Sequence, residues 1–135
     1  CRGPGIPAGE IRIQLVNNLD LTATIVDWAE ATPGTALDGI SFVPILKSPT
    51  APWRSAIFFE GRTLGAERQT LYGVRTVSRK YMIYADGSEE LYDLVRDPYE
   101  LTNVAGLSAY KVDLELLRSL AEKLKTCSGE ACRVP

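Results

Sequence analysis

The chain has 135 residues, of which 45% are apolar and 24% charged, ordinary values for a globular domain. Its 15 basic and 17 acidic residues give a net charge of −2, and no basic run exceeds two residues, so the concentrated positive field that nucleic-acid binding needs is missing. There is no histidine, which removes Ser-His-Asp and Cys-His catalysis and His-based zinc sites from this chain and leaves Asp, Glu, Lys, Tyr and Cys for any chemistry.

This length predicts one domain, or one and a fraction. Area scaling lets a chain of this size bury about two-thirds of its surface, so a core needs no metal or disulfide lattice. No apolar stretch approaches the roughly 20 residues of a membrane span, so no membrane partner is expected. No charged segment followed by an apolar run opens the chain, so no leader is expected in it.

Residues 1–9 hold three glycines and two prolines and read as an irregular loop, the exit from a strand that lies outside the chain. Ile11, Ile13 and Leu15 then alternate with Arg12 and Gln14, a pattern that predicts a short half-buried strand. Asn18 or Asp20 is set to cap a helix over 19–31, with Leu21, Ile25, Trp28 and Ala29 on one apolar stripe and Thr32-Pro33-Gly34 ending it. Asp38-Gly39 signals a turn, and Ser41–Leu46 a short apolar turn with Pro44 near its start. Residues 47–53 are polar and carry Pro49 and Pro52, which makes them the linker candidate between 1–46 and 54–135.

Beyond the linker the texture becomes that of strands. Ala56–Glu60, Leu71–Val77, Lys80–Tyr84 and Glu89–Leu94 are predicted as four, with a polar loop over 61–70, a turn at Ser78-Arg79 and a hairpin at Asp86-Gly87. The short connections between the last three imply an antiparallel meander. Asp97-Pro98 stops the sheet. Ser108 is the predicted cap of a helix over 109–126. Its inner face is read as Tyr110, Leu114, Leu117, Ala121 and Leu124, widened by Val112, Leu116 and Leu120. A sheet with one wet face needs a cover on the other, and this helix is the natural one. The expected fold class is α+β: a four-stranded antiparallel sheet packed against a long C-terminal helix, preceded by a strand-helix segment.

Three cysteines are present, Cys1, Cys127 and Cys132. The C-x4-C pair Cys127/Cys132 surrounds Gly129 and suits a small disulfide loop; two free thiols are the alternative, and a metal would need more ligands than the chain gathers there. A disulfide points to secretion or the periplasm. Cys1 is left over, as an unpaired thiol or the sign of a chain that begins mid-protein.

Several strings occur together and in order: Arg2-Gly3-Pro4-Gly5, Asn18-Leu19-Asp20-Leu21-Thr22-Ala23-Thr24-Ile25, Asp38-Gly39-Ile40-Ser41-Phe42-Val43-Pro44-Ile45-Leu46, Gly73-Val74-Arg75-Thr76 and Arg79-Lys80-Tyr81-Met82-Ile83. Glu90-Leu91-Tyr92-Asp93-Leu94 follows, running into Asp97-Pro98-Tyr99-Glu100 and Asn103-Val104-Ala105. With them the sequence resembles the C-terminal third of the sulfatases, formylglycine-dependent sulfuric ester hydrolases of the alkaline-phosphatase-like superfamily. The resemblance implies that 1–46 is the end of an α/β catalytic domain and that 54–135 is a small C-terminal subdomain of sheet plus helix. A disulfide near the end is consistent with secreted members.

It also implies what is missing. The family's formylglycine arises from Cys or Ser in a C/S-x-P/A-x-R motif and works with calcium held by Asp and Asn, all upstream of a segment like Arg2–Gly5. Cys1, Cys127 and Cys132 each fail that motif, so no catalytic residue and no metal ligand is carried onto this chain. The expected role is a structural wall of the substrate cleft, inactive alone, within an arylsulfatase-like or sulfated-sugar sulfatase. The contrasting reading is an independent carbohydrate- or protein-binding module without enzymatic activity.

Loops off a rigid sheet tend to carry recognition, so Glu60, Arg62 and Arg68 around the 61–70 loop, with Arg75 in the second predicted strand, are the candidate substrate-rim residues. Solvated surface is the plain alternative for the loop, and pairing with an acidic neighbour on the sheet face for Arg75. Tyr72, Tyr81, Tyr84 and Tyr92 read as sheet packing before a sugar platform, and Asp93, Asp97 and Glu100 as turn residues before a cation site. The expected partners are the rest of the catalytic domain and, for the isolated chain, a second copy through 1–46, where Leu21, Ile25, Trp28 and Phe42 would present apolar surface.

Overall fold

The computed structural model of the chain describes residues 1–62, 65 and 70–134. They form two compact units: Cys1–Ser55 joined by the tail that starts at Ser128, and Ala56–Cys127. Residues 47–53 fall within the first unit.

The first unit is built around α1 (Asn18–Trp28) and a short α2 (Val43–Lys47). The cap of α1 is Asn17, one residue before the expected position. Asn17 and Asp20 form a capping box: the Asp20 amide donates to Asn17 Oδ1 at 3.2 Å and the Asn17 amide to Asp20 Oδ2 at 2.8 Å. The helix ends at Trp28, and Glu30 turns the chain with φ of 51°. Pro44 sits in the first turn of α2, where its missing amide costs no hydrogen bond.

One expectation for this unit fails. Residues 11–15 form no strand, and Ile11 and Ile13 are 86% and 82% exposed. Alternation is only half of a strand; the other half is a neighbour to complete the ladder, and no described segment supplies one. The stretch is held instead by side chains: Arg12 donates to the carbonyls of Ile45 (2.6 Å) and Leu46 (3.1 Å), and Trp53 Nε1 to Leu15 O at 2.6 Å. The apolar surface expected of α1 is present, while Phe42, expected to join it, is half-buried. Leu21, Ile25 and Trp28 are 53%, 56% and 51% exposed, while Asp20, Ala23 and Thr24 are buried. The buried face is chosen by hydrogen bonds to the 38–42 segment, which hydrophobic periodicity does not encode.

The second unit is a four-stranded sheet in the order β1 (Ala56–Gly61), β2 (Leu71–Thr76), β3 (Arg79–Tyr84) and β4 (Glu89–Asp93), all antiparallel. Phe58, Val74, Tyr81 and Leu91 are register partners and form one row across the sheet. Tyr81, Val74 and Leu91 are fully buried there. Val104 returns to donate its amide to Leu91 O (2.9 Å), and Asn103 Oδ1 accepts from the Leu91 amide (3.0 Å), so β4 is covered along its outer edge.

The face bearing that row is covered by α3 (Lys111–Leu124), which buries Leu117, Ala121 and Leu124. A 3-10 turn, Ser108–Tyr110, precedes α3, and neither Ser108 nor any other side chain caps it. Val112 and Leu116, expected to widen the inner face, are 78% and 66% exposed. The reason is chemical: α3 meets the sheet through polar clamps as well as apolar contact, which narrows its apolar seam. Asp113 accepts from Arg79 Nε (2.8 Å), Arg118 grips Glu89 with two bonds of 2.7 Å, and Glu122 accepts from the Tyr72 hydroxyl. A final disulfide joins Cys127 to Cys132, leaving Cys1 as the free cysteine.

Candidate functional site

The described rim candidates derive their positions from β1 and β2. Pairing of Gly61 with Leu71 closes the base of the intervening loop, and Thr70 reinforces it by donating its amide (2.9 Å) and hydroxyl (3.2 Å) to Gly61 O. Glu60 and Arg62 flank that base and are exposed. Arg68 lies outside the described residues. Arg75 pairs in register with Ile57, four residues before Gly61, which at the rise of a strand is roughly 13 Å away. Arg75 therefore belongs to a different place from Glu60 and Arg62.

The two places differ in chemistry. Arg62 makes no ion pair among the described residues, so its guanidinium fork is available to a planar or tetrahedral anion. Arg75 lies 3.7 Å from Glu100, with 42% of its side chain exposed, and Glu100 also binds Lys80. The pair reaches from the sheet to a carboxylate in the turn that follows β4. Glu100 reaches both cations because the Asp97–Glu100 turn carries it at φ of 58°, with its own amide bonded to Asp97 O (3.1 Å).

The tyrosines do not assemble into one platform. Tyr72 and Tyr81 share the face covered by α3, and Tyr84 and Tyr92 share the other, as register requires. Tyr81 is buried and donates to Glu89 at 2.5 Å; burial first, then that carboxylate, raises its pKa. Tyr92 is pushed up to about 12 by burial and by Glu90, which also accepts from Tyr84 (3.1 Å).

Among the acidic candidates, Asp93 is buried and occupied by Arg79 (2.9 Å) and Tyr110 (3.0 Å), and Asp97 accepts from the Thr102 amide (2.8 Å). No group of three or more His, Cys, Asp or Glu able to hold a metal occurs among the described residues. A depression of about 320 Å³ beside Tyr72, Tyr84 and Lys125 and another of about 240 Å³ beside Arg12 and Leu46 are present, and Glu60, Arg62 and Arg75 line neither.

A further connected polar centre lies in the first unit. Asp20 is fully buried. Its Oδ1 accepts from the Ile40 amide (2.9 Å) and from Arg54, itself buried, while Oδ2 holds the Asn17 amide. One turn on, Thr24 Oγ1 donates to Asp20 O (2.7 Å) and accepts from the Phe42 amide (3.0 Å). Gly39 is pressed so close to α1 that a Cβ there would stand 2.3 Å from Leu19 O. The string around Asp20–Thr24 and the string around Asp38–Phe42 are thus two halves of one hydrogen-bonded joint. The pointer in the sequence was Asn17 three residues ahead of Asp20, a capping-box spacing.

These residues position a scaffold. The family described as N-sulphoglucosamine sulphohydrolase, C-terminal, matches residues 3–129. The chain belongs to this sulfatase C-terminal family. It is 32% identical to the N-acetylglucosamine-6-sulfatase of Bos taurus over 99% of its own length and 30% of that protein's. It is 33% identical to the N-acetylglucosamine-6-O-sulfatase of Bacteroides thetaiotaomicron, over 89% of its length and 23% of that protein's. Among solved structures, a 2-O glycosaminoglycan sulfatase superposes with a TM-score of 0.77 at 30% identity, covering 92% of this chain and 28% of the other. The chain thus spans less than a third of the length of each of these relatives.

Proposed function

We propose that this chain is the C-terminal part of a longer sulfuric ester hydrolase that acts on a sulfated sugar, with 6-O-sulfated N-acetylglucosamine as the first substrate class to test. The observation that carries the reading is the family match across residues 3–129, joined by two relatives whose names specify that sugar and position. The chain's own role is to brace the catalytic domain and form one wall of the cleft.

Sulfate transfer concentrates negative charge on oxygen, and its stabilisation demands cations fixed at the reacting centre. The calcium and formylglycine of the family belong, in this reading, to upstream residues. The residues described here do not fit a metal, so no step through either group is assigned to them. The proposed rim set is Glu60, Arg62, Arg68 and Arg75, of which Arg68 lies outside the described residues and Arg75 stands at the other end of β1. Arg62 leads it because, among the described cations of that rim, it is the one without an ion pair. A rim guanidinium grips substrate equally before and during reaction, so it acts on KM and leaves kcat alone.

The exposed face of α1 supports two further proposals. The upstream catalytic domain covers Leu21, Ile25 and Trp28 in the longer protein, and the isolated chain self-associates through residues 1–46. The Cys127–Cys132 bond supports a periplasmic or secreted location, where disulfides persist. No described helix is long and apolar enough to cross a membrane.

The test is sulfate release from a 6-O-sulfated N-acetylglucosamine substrate, by the longer protein and by the 135-residue chain. The longer protein should be active and the chain inert, and Arg62→Ala in the longer protein should raise KM about tenfold, the worth of one charge-assisted hydrogen bond. Sulfate release by the short chain alone, or none by the longer protein from any sulfate ester, overturns the reading. An unchanged KM removes Arg62 from the rim.

A further inference from the structure

Beyond α3 the chain runs back into the first unit. Residues Ser128–Val134 dock there at points far away in sequence. The Gly129 amide donates to Asp38 Oδ1 at 2.6 Å, Arg133 Nη2 donates to Leu37 O (3.1 Å) and Gly39 O (3.3 Å), and the Ser55 amide donates to Val134 O at 3.0 Å. Gly129 is buried at φ of 59°, a conformation that suits glycine, and Ala36 Cβ lies 3.7 Å from where its Cβ would be. The Cys127–Cys132 bond brackets the start of this segment, around the 3-10 turn Gly129–Cys132.

From this geometry we infer that the tail is an oxidation-dependent strap: formation of the Cys127–Cys132 bond preorganises Gly129–Arg133, and only then does the tail dock on the Leu37–Gly39 turn. Each hydrogen bond that secures it replaces one to water and contributes little net. Fixing the seven residues Ser128–Val134 costs conformational entropy at every one. The crosslink removes part of that entropy in advance, so it decides whether the strap stays down. In the oxidising step both thiols lose their protons and one electron each, the S–S bond forms, and an acceptor disulfide is reduced to two thiols. A dithiol reverses it. The strap acts as a maturation lock that reports passage into an oxidising compartment, independently of any activity of a longer protein.

Hydrogen exchange read residue by residue tests this on the intact chain, oxidised and after dithiothreitol. On reduction the Gly129 and Ser55 amides should exchange about 40-fold faster, the loop-closure entropy of six residues expressed as a ratio. The Ile40 and Phe42 amides, held by Asp20 and Thr24 and not by the strap, should keep their protection. A Cys127→Ser/Cys132→Ser variant should match the reduced protein and ignore dithiothreitol. Unchanged Gly129 and Ser55 exchange on reduction overturns the inference, because the strap then docks by hydrogen bonding alone. Equal acceleration at Ile40 and Phe42 overturns it too, since the disulfide is then a general stabiliser.

Discussion

Replacing Asp20 by Asn tests the joint between α1 and the 38–42 segment. The change keeps the side-chain shape and one acceptor oxygen but removes the charge. Oδ1 serves the Ile40 amide and Arg54 together, and Oδ2 serves the Asn17 amide. Asp20 is fully enclosed and only 4% of the Arg54 side chain is exposed, so the guanidinium would be left without its counter-charge where water cannot replace it. Stranding one partner of a buried ion pair costs about 3–5 kcal/mol. For a chain of this length that lowers the melting temperature by roughly 10–20 °C. Both tryptophans, Trp28 and Trp53, lie in the first unit, so their fluorescence during urea unfolding reports the unit that contains the joint. Adding Arg54→Met removes the stranded charge, and the double variant should regain at least half of the loss. A loss below about 1 kcal/mol in Asp20→Asn, or a double variant no more stable than the single one, refutes the view that the pair is coupled and shielded.

Gly39→Ala drives a methyl into the backbone of α1 at Leu19 and Asp20, which cannot yield as a side-chain tip can; a loss of about 3 kcal/mol is expected in the same urea assay. Glu89 has its pKa lowered chiefly by Arg118, with burial opposing. A depressed folded pKa means stability that is present above the unfolded value near 4.3 and lost as pH falls through the folded one. Melting of the second unit between pH 7 and 3 should show that loss, and Glu89→Gln should flatten it; an equal slope in the variant removes Glu89 as its source. Ile25→Glu should render the isolated chain monomeric in sedimentation at concentrations where the parent self-associates, with α1 retained by circular dichroism.

How far the sequence reached depended on whether a segment's partners are local. The four strands of the second unit were legible to within a residue or so of their ends, because alternation, Asp86-Gly87 and short connections are all short-range signals that agree with one another. The family was legible too, since its strings are ordered along the chain. The candidate site was read less well. Arg62 and Arg75 look like neighbours in a list of cations, and register alone puts them at different ends of β1. Arg54, Arg79 and Arg118 look like ordinary surface charges until folding encloses or pairs them, and Asp20 reads as a helix cap and no more.

Composition and pattern were therefore enough for the absence of histidine chemistry from this chain, the meander and its covering helix, while the family came from the resemblance of its ordered strings. Tertiary structure alone decided that Asp20 is buried, that Ile11 and Ile13 join no ladder, and that the tail returns to Asp38. Periodicity records which side chains avoid water. It does not record which buried polar group will find its partner across 20, 34 or 91 residues of chain, and those hydrogen bonds choose the inward face.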